Sequence, residues 1–210
     1  ISGVITNDDA ISLVRTRGVE MAKAAAVAQT GMSAILGGER DAVVAALAAL
    51  GLTPANENGA GQIVAAGALD ALAALAENPP AGARVRPLAV AGAFHTAVMQ
   101  PAVAVLAEKV RALTPHNPQI SILSNKDGEV VDSGDEVLAR IVGQVAGPVR
   151  WDLCMNTLAA LGVTGVIEMP PAGTLVGLVK RATPDVETFA LKSPDDLQAA
   201  REFVTKHGGN

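Results

Sequence analysis

Between Gly31 and Val90, turn residues divide the chain into short segments whose apolar patterns alternate between strand and helix. Met32–Leu36 is an apolar run too short for a helix. Asp41–Leu50 is helical in pattern and stops at Gly51. Leu52–Ala55 and Gln62–Ala66 read as strands around the turn-forming stretch Asn56–Gly61. Leu69–Ala76 is again helical and breaks at Pro79-Pro80, and Val85–Val90 reads as a last strand. The resulting order, β-α-β-β-α-β, is the ferredoxin-like arrangement.

The flanking segments follow another rhythm. Asn7-Asp8-Asp9 offers a cap and early acids for a helix running to about Val27. After His95, Met99, Val103, Leu106, Val110 and Leu113 recur at helical spacing, with Pro101 in the first turns where proline is tolerated. Ile120–Leu123 and Val163–Glu168 read as buried strands; Asp135–Val145, Trp151–Leu161 and Thr174–Lys180 read as helices. Strands separated by helices imply a parallel sheet. No stretch resembles a flexible linker, so residues 31–90 are expected to form a ferredoxin-like subdomain inserted in a larger domain made of 1–30 and 91–206. His207–Asn210 is expected to be a disordered tail. The apolar start Ile1–Thr6, without Met, reads as the middle of something longer.

Composition excludes several function classes. Half of the residues are hydrophobic but only 2% are aromatic, so the core must come from Ala, Val, Leu and Ile. A net charge of −5 with no basic cluster argues against nucleic acid as a partner. Asp70, Glu77 and glycines interrupt the longest apolar stretches, so no membrane span is expected. A lone cysteine, Cys154, rules out an internal disulfide and suits a reducing compartment, so the cytoplasm is the expected location.

Few residues are placed to do chemistry. His95 sits at a strand-to-helix junction, where ligands of α/β sheets gather. There it can take a proton from a hydroxyl nucleophile and return it to a leaving group, although it could equally cap the helix. Arg17 lies in a largely apolar helix and can pair bidentately with a carboxylate, or be a plain surface arginine. Asn56, Asn58 and Gln62 could hydrogen-bond a substrate or their own turn. Gln144 precedes Gly147-Pro148 at a helix end and says nothing alone. Cys154 falls mid-helix with no local histidine and reads as a buried structural thiol. His116 and His207 receive no role. Neither metal-ligand spacing nor a phosphate-binding glycine motif occurs.

Taken in order, these residues resemble the malonyl-CoA:acyl-carrier-protein transacylases, in their actinobacterial form. The resemblance rests on Thr16-Arg17-Gly18 with Met21; Gly31-Met32-Ser33-Ala34-Ile35-Leu36-Gly37; Asn56-x-Asn58-x-x-Gly61-Gln62-Ile63-Val64 with Gly67; and Gly92-Ala93-Phe94-His95 with Met99. It continues through Gln144-x-x-x-Pro148-Val149-Arg150-Trp151, Glu168-x-x-Pro171-x-Gly173 and Leu178-x-Lys180-Arg181. Each motif is weak alone; the ordered set is specific.

The resemblance implies an α/β-hydrolase-like acyltransferase domain carrying the ferredoxin-like insertion. It implies His95 as general base of a serine-histidine dyad, with the Gln144 backbone carbonyl orienting it as an aspartate does in a triad. It implies Arg17 as the clamp on the malonyl carboxylate, Asn58 near the site mouth, and Phe94 as a malonyl-selecting residue, although the selecting pattern usually has histidine where Gly92 stands. The implied substrates are malonyl-CoA and phosphopantetheinylated acyl carrier protein, with no metal or redox cofactor, and a monomer is expected. The family's Gly-His-Ser-x-Gly elbow and Gly-Gln-Gly-Ser-Gln segment are not among these residues, nor is any G-x-S-x-G. The chain is therefore expected to lack the N-terminal third of the enzyme and, as written, to be inert. The rivals are a non-catalytic ligand- or partner-binding module, a degenerate homologue acting as a scaffold, and an acyltransferase domain of a polyketide synthase.

Overall fold

The computed structural model describes residues 1–208. Helix α1 (Asn7–Ala25) starts where the Thr6 hydroxyl accepts the Asp9 amide hydrogen, with Asp8 and Asp9 in its first turn. Then follow β1 (Thr30–Gly37), α2 (Arg40–Ala49), β2 (Thr53–Gly59), β3 (Gln62–Ala68), α3 (Leu69–Glu77) and β4 (Ala83–Pro87). Their strands line up as β4-β1-β3-β2, every neighbour antiparallel.

The sheet is covered on both faces, which is why β1 and β3 read as largely continuous apolar runs. Ile35, Ile63 and Ala65 pack on Val43 and Leu47 of α2 and on Leu72 and Leu75 of α3. The alternate residues Met32, Val64 and Ala66 pack with Ala55 on the other face, against Ala93, Phe94 and Val98. The pairs Met32–Ala66 and Ile35–Ile63 lie in register, so a one-residue slip would exchange the two faces.

A short 3-10 turn at Ala97–Met99 leads into α4 (Gln100–Arg111), followed by β5 (Ile122–Leu123), β6 (Val130–Val131) and α5 (Gly134–Gln144). Then come β7 (Val149–Arg150), α6 (Trp151–Ala160), β8 (Gly165–Glu168), α7 (Leu175–Ala182), β9 (Glu187–Ala190) and α8 (Leu197–His207). Leu13 and Met21 of α1, Met99, Leu106 of α4, and Val137, Leu138 and Val142 of α5 form a second core.

Several boundaries depart from the sequence expectations. β2 runs through the polar stretch expected to be a turn, because Asn56 and Glu57 pair with both β3 and β7. Backbone pairing there outweighs the turn preference of asparagine, and the turn itself shrinks to Ala60-Gly61. Parallel pairing among the described residues is confined to β8–β9 and the short β2–β7 ladder; β5 pairs with β6 antiparallel. β4 sits two residues earlier than expected and ends at Pro87, which has no amide hydrogen to donate.

The end of the chain is also more ordered than expected. His207 closes helix α8, with Nδ1 3.0 Å from the Thr164 hydroxyl and Nε2 3.3 Å from a Glu187 carboxylate oxygen. Its ring stacks on Phe203 with centroids 4.4 Å apart. The last part of the expected tail, residues 209 and 210, lies outside the described residues. No helix of the described residues is long and apolar enough to cross a membrane.

Candidate active site

The segment Gly92–Thr96 joins the sheet to α4, and short bonds lock it. The Ala93 amide donates to the Thr30 hydroxyl at 3.0 Å, and the buried Thr96 hydroxyl donates to the Ala93 carbonyl at 2.7 Å. Within this turn His95 adopts a left-handed backbone, φ 59°. Such a conformation costs a non-glycine residue about 1–3 kcal/mol and persists only where surrounding bonds enforce it. A Cβ on Gly92 would sit 2.8 Å from the Ala25 Cβ and 3.2 Å from the Ala25 Cα. The close approach of the turn to the end of α1 thus leaves no room for a histidine at that position.

The His95 Nδ1 lies 2.9 Å from the Gln144 backbone oxygen. A carbonyl only accepts, so Nδ1 carries the hydrogen and Nε2 presents a lone pair. Gln144 is the last residue of α5, where a helix leaves carbonyls without intrahelical partners. Burial pushes the His95 pKa below its ordinary value of 6.5; the Gln144 carbonyl works against that shift, and the nearby Arg17 charge adds to it. The imidazole is therefore neutral and able to take a proton at neutral pH.

Arg17 reaches the same residue from α1: its Nη2 donates to the Gln144 side-chain Oε1 at 2.8 Å. Burial lowers its pKa, and no carboxylate among the described residues offsets the penalty. A half-buried guanidinium with donors to spare is a receptor for a planar anion.

These groups open on a cavity of about 780 Å³. Arg17, His95, Phe94, Asn56, Asn58, Gln62, Asn125 and Trp151 line it, with Leu175 and Leu178 of α7 closing one side. The Asn58 side chain donates to Gln62 Oε1 at 3.1 Å. A second groove, of about 800 Å³, adjoins it through Arg17, Asn125 and Trp151 and is walled by Val4, Ile5, Val137, Leu138 and Ile141.

The structure thus brings His95, Gln144, Arg17, Phe94 and Asn58 to one place. Cys154 is buried, donates to the Ser124 carbonyl at 3.4 Å and has its thiol pushed up to about 11 by burial, with Asp152 and Asp127 adding to the shift. It is the inert thiol expected. Among the described residues no group of His, Cys, Asp and Glu could hold a metal ion.

Three features escaped the sequence reading. Asn125, just beyond the Ile120–Leu123 run, lines the cavity. The Trp151 Nε1 is buried with no partner among the described residues. The Gln144 side chain has a role distinct from its backbone. Nothing local to these positions announces them.

No protein-family model matches the chain. The malonyl CoA-acyl carrier protein transacylase of Mycolicibacterium smegmatis is 53% identical over 201 residues, covering 94% of this chain and 69% of that protein. The crystal structure of the Mycobacterium tuberculosis transacylase superposes with a TM-score of 0.90 at 52% identity, over 94% of this chain and 66% of that one. A malonyl-transacylase solved with its type II polyketide acyl-carrier protein superposes at 0.89 with 30% identity, over 96% of this chain and 67% of that one. The chain spans 65–69% of the length of the actinobacterial relatives. A relative this similar, matched over nearly all of this chain and with the same fold, shows that the chain belongs to the malonyl CoA-acyl carrier protein transacylase family.

Proposed function

We propose that this chain supplies the base and the acyl-binding wall of an enzyme that moves a malonyl group from coenzyme A to the phosphopantetheine thiol of acyl carrier protein. The observation that carries this reading is the meeting of His95 and Arg17 on Gln144 beside one cavity: a neutral imidazole with Nε2 free, and a cation without an anion. In this reading the nucleophile is a serine outside these residues, which span 69% of the Mycolicibacterium smegmatis relative.

In the first half-reaction Nε2 of His95 takes the serine proton as the oxygen attacks the thioester carbonyl. The tetrahedral intermediate collapses, coenzyme A leaves with the proton, and malonyl-serine remains. The carrier thiol then gives its proton to the same nitrogen and attacks the ester, and the serine recovers a proton. Arg17 pairs with the free carboxylate of the malonyl group throughout, and Phe94 crowds an α-methyl, worth about 1–3 kcal/mol of discrimination. Asn58 lines the cavity, where its amide can meet the substrate. Acyl exchange between thioesters changes no oxidation state, so no redox cofactor is needed, and base and serine together account for the transfer without a metal. The solved complex of a family member with its acyl-carrier protein supports the partner. A cytoplasmic monomer in fatty-acid synthesis is the setting we favour.

Joining the serine-bearing segment of the Mycolicibacterium smegmatis relative to this chain tests the reading. The joined protein should form a malonyl-enzyme and pass it to carrier protein, with His95→Ala reducing turnover by about 10²–10⁴. Arg17→Ala should lower malonyl transfer while admitting acetyl better. Acylation that survives His95→Ala would remove the histidine from the mechanism.

A further inference from the structure

We infer that the Gln144 side chain is a specificity-positioning residue: its Oε1 anchors the Arg17 guanidinium so that the remaining donors face an acyl group bearing a carboxylate. This rests on the reading of Arg17 as the carboxylate clamp. One residue thereby serves both halves of the site, orienting His95 through its backbone oxygen and Arg17 through its side chain.

The chemistry of the amide explains why a neutral acceptor stands here. A guanidinium has five N–H donors and no acceptor, and its long side chain has many rotamers. Left unheld in a half-buried site, it would fold onto any nearby oxygen or swing out to water. The amide oxygen holds one donor at 2.8 Å without discharging the cation. A carboxylate in the same place would satisfy the fork bidentately and cancel the charge meant for the substrate. A thioether would fill the space but leave the guanidinium unheld. Gln144 can be this close because Gly147-Pro148 ends α5 and turns the chain into β7, so the last helical residue faces α1 and the His95 turn together.

The position also makes a distinctive prediction about isosteres. If Gln144 mattered only for packing, Glu, its isostere, would be the mildest replacement. If it sets the fork, Gln144→Glu is the worst, because the new carboxylate takes the place of the malonyl one.

The test uses the 210-residue chain itself and needs no nucleophile. The chain and its Arg17→Ala, Gln144→Met and Gln144→Glu variants are titrated with malonyl-pantetheine and acetyl-pantetheine. Calorimetry gives the affinities, and the His95 Nδ1–H resonance reports whether the backbone bond to residue 144 survives. The parent chain should prefer the malonyl ligand. The preference should fall about tenfold in Gln144→Met and vanish in Gln144→Glu, as in Arg17→Ala. If both Gln144 variants keep the preference while Arg17→Ala loses it, the positioning role is overturned and the clamp stands. If Arg17→Ala keeps the preference, or the parent has none, the clamp reading falls and this inference with it. Should Gln144→Met lose the His95 resonance, Gln144→Glu decides: a preserved malonyl preference in that isostere overturns the proposal.

Discussion

The stretch Thr30–Pro87 and the segments around it solve the burial problem differently. In the first, four strands form long antiparallel ladders, and Ile35, Leu47 and Leu75 are fully buried beneath two helices. In the second, apart from the short β2–β7 ladder, the sheets are two-stranded pairs, and the described residues leave large apolar side chains uncovered: Ile11 is 72% exposed and Val14 65%. Both outward-facing residues lie on α1, which also carries Arg17. The comparison teaches where the chemistry sits. The closed unit contributes one finished wall, with Asn56, Asn58 and Gln62 on it, while the open region presents His95, Gln144 and Arg17 to the cavity and to the groove beside it.

The strongest way to break this comparison is to cut the core of the closed unit. Leu47→Ala should cost about 2–5 kcal/mol, read from urea unfolding, because its pocket has no solvent to fill the void. The matched control, Ile11→Ser, should change stability by less than about 0.5 kcal/mol. Equal losses at the two positions would show that the exposed face of α1 is buried in solution, and would erase the contrast.

The seam between the regions comes next. The buried Glu57 carboxylate accepts Arg40 Nε at 2.6 Å and Nη2 at 2.9 Å, and lies 3.6 Å from Arg150, which forms its own fork with Asp152. Glu57→Gln keeps the shape but removes the charge, and should cost about 1.5–3 kcal/mol. Hydrogen exchange should show the loss at β7 and the start of α6. An unchanged exchange pattern would mean that the β2–β7 ladder holds the seam without the ion pairs.

The smallest expected effect is a pH dependence at the open site. Burial lowers the folded His95 pKa below 6.5, so the unfolded chain binds this proton more readily. The stability held by neutral His95 is therefore present above 6.5 and is lost as pH falls from there toward the lowered folded value. Comparing urea midpoints at about pH 7.5 and pH 5.5, with His95→Asn as reference, isolates the term. The parent should weaken more than the variant at the lower pH; equal weakening would mean that the imidazole is not desolvated.

Much of this was legible from residues alone. The β-α-β-β-α-β order of Thr30–Pro87 followed from glycine and proline punctuation and from helical spacing, because most of its strands and helices are long enough to display their own apolar pattern. The ordered motifs also singled out His95, Arg17 and Gln144. The weaker elements were not legible. Val149–Arg150 and Glu187–Ala190 are strands only because a partner distant in sequence supplies hydrogen bonds, and Val130–Val131, paired with nearby Ile122–Leu123, is too short to show a period of two. Helix α8, of which only Ala200 is buried, was not expected either.

Residue type and spacing by themselves determined which groups could act: an imidazole at a junction, an arginine able to hold a carboxylate, a thiol with no base beside it. Tertiary structure alone decided how they act. Gln144 lies 49 positions from His95 and 127 from Arg17 along the chain, and nothing in its neighbours shows that its carbonyl fixes the tautomer of one while its amide holds the other. Those roles exist because the end of α5, the His95 turn and α1 converge, and hydrogen bonding depends on distance in space rather than along the chain.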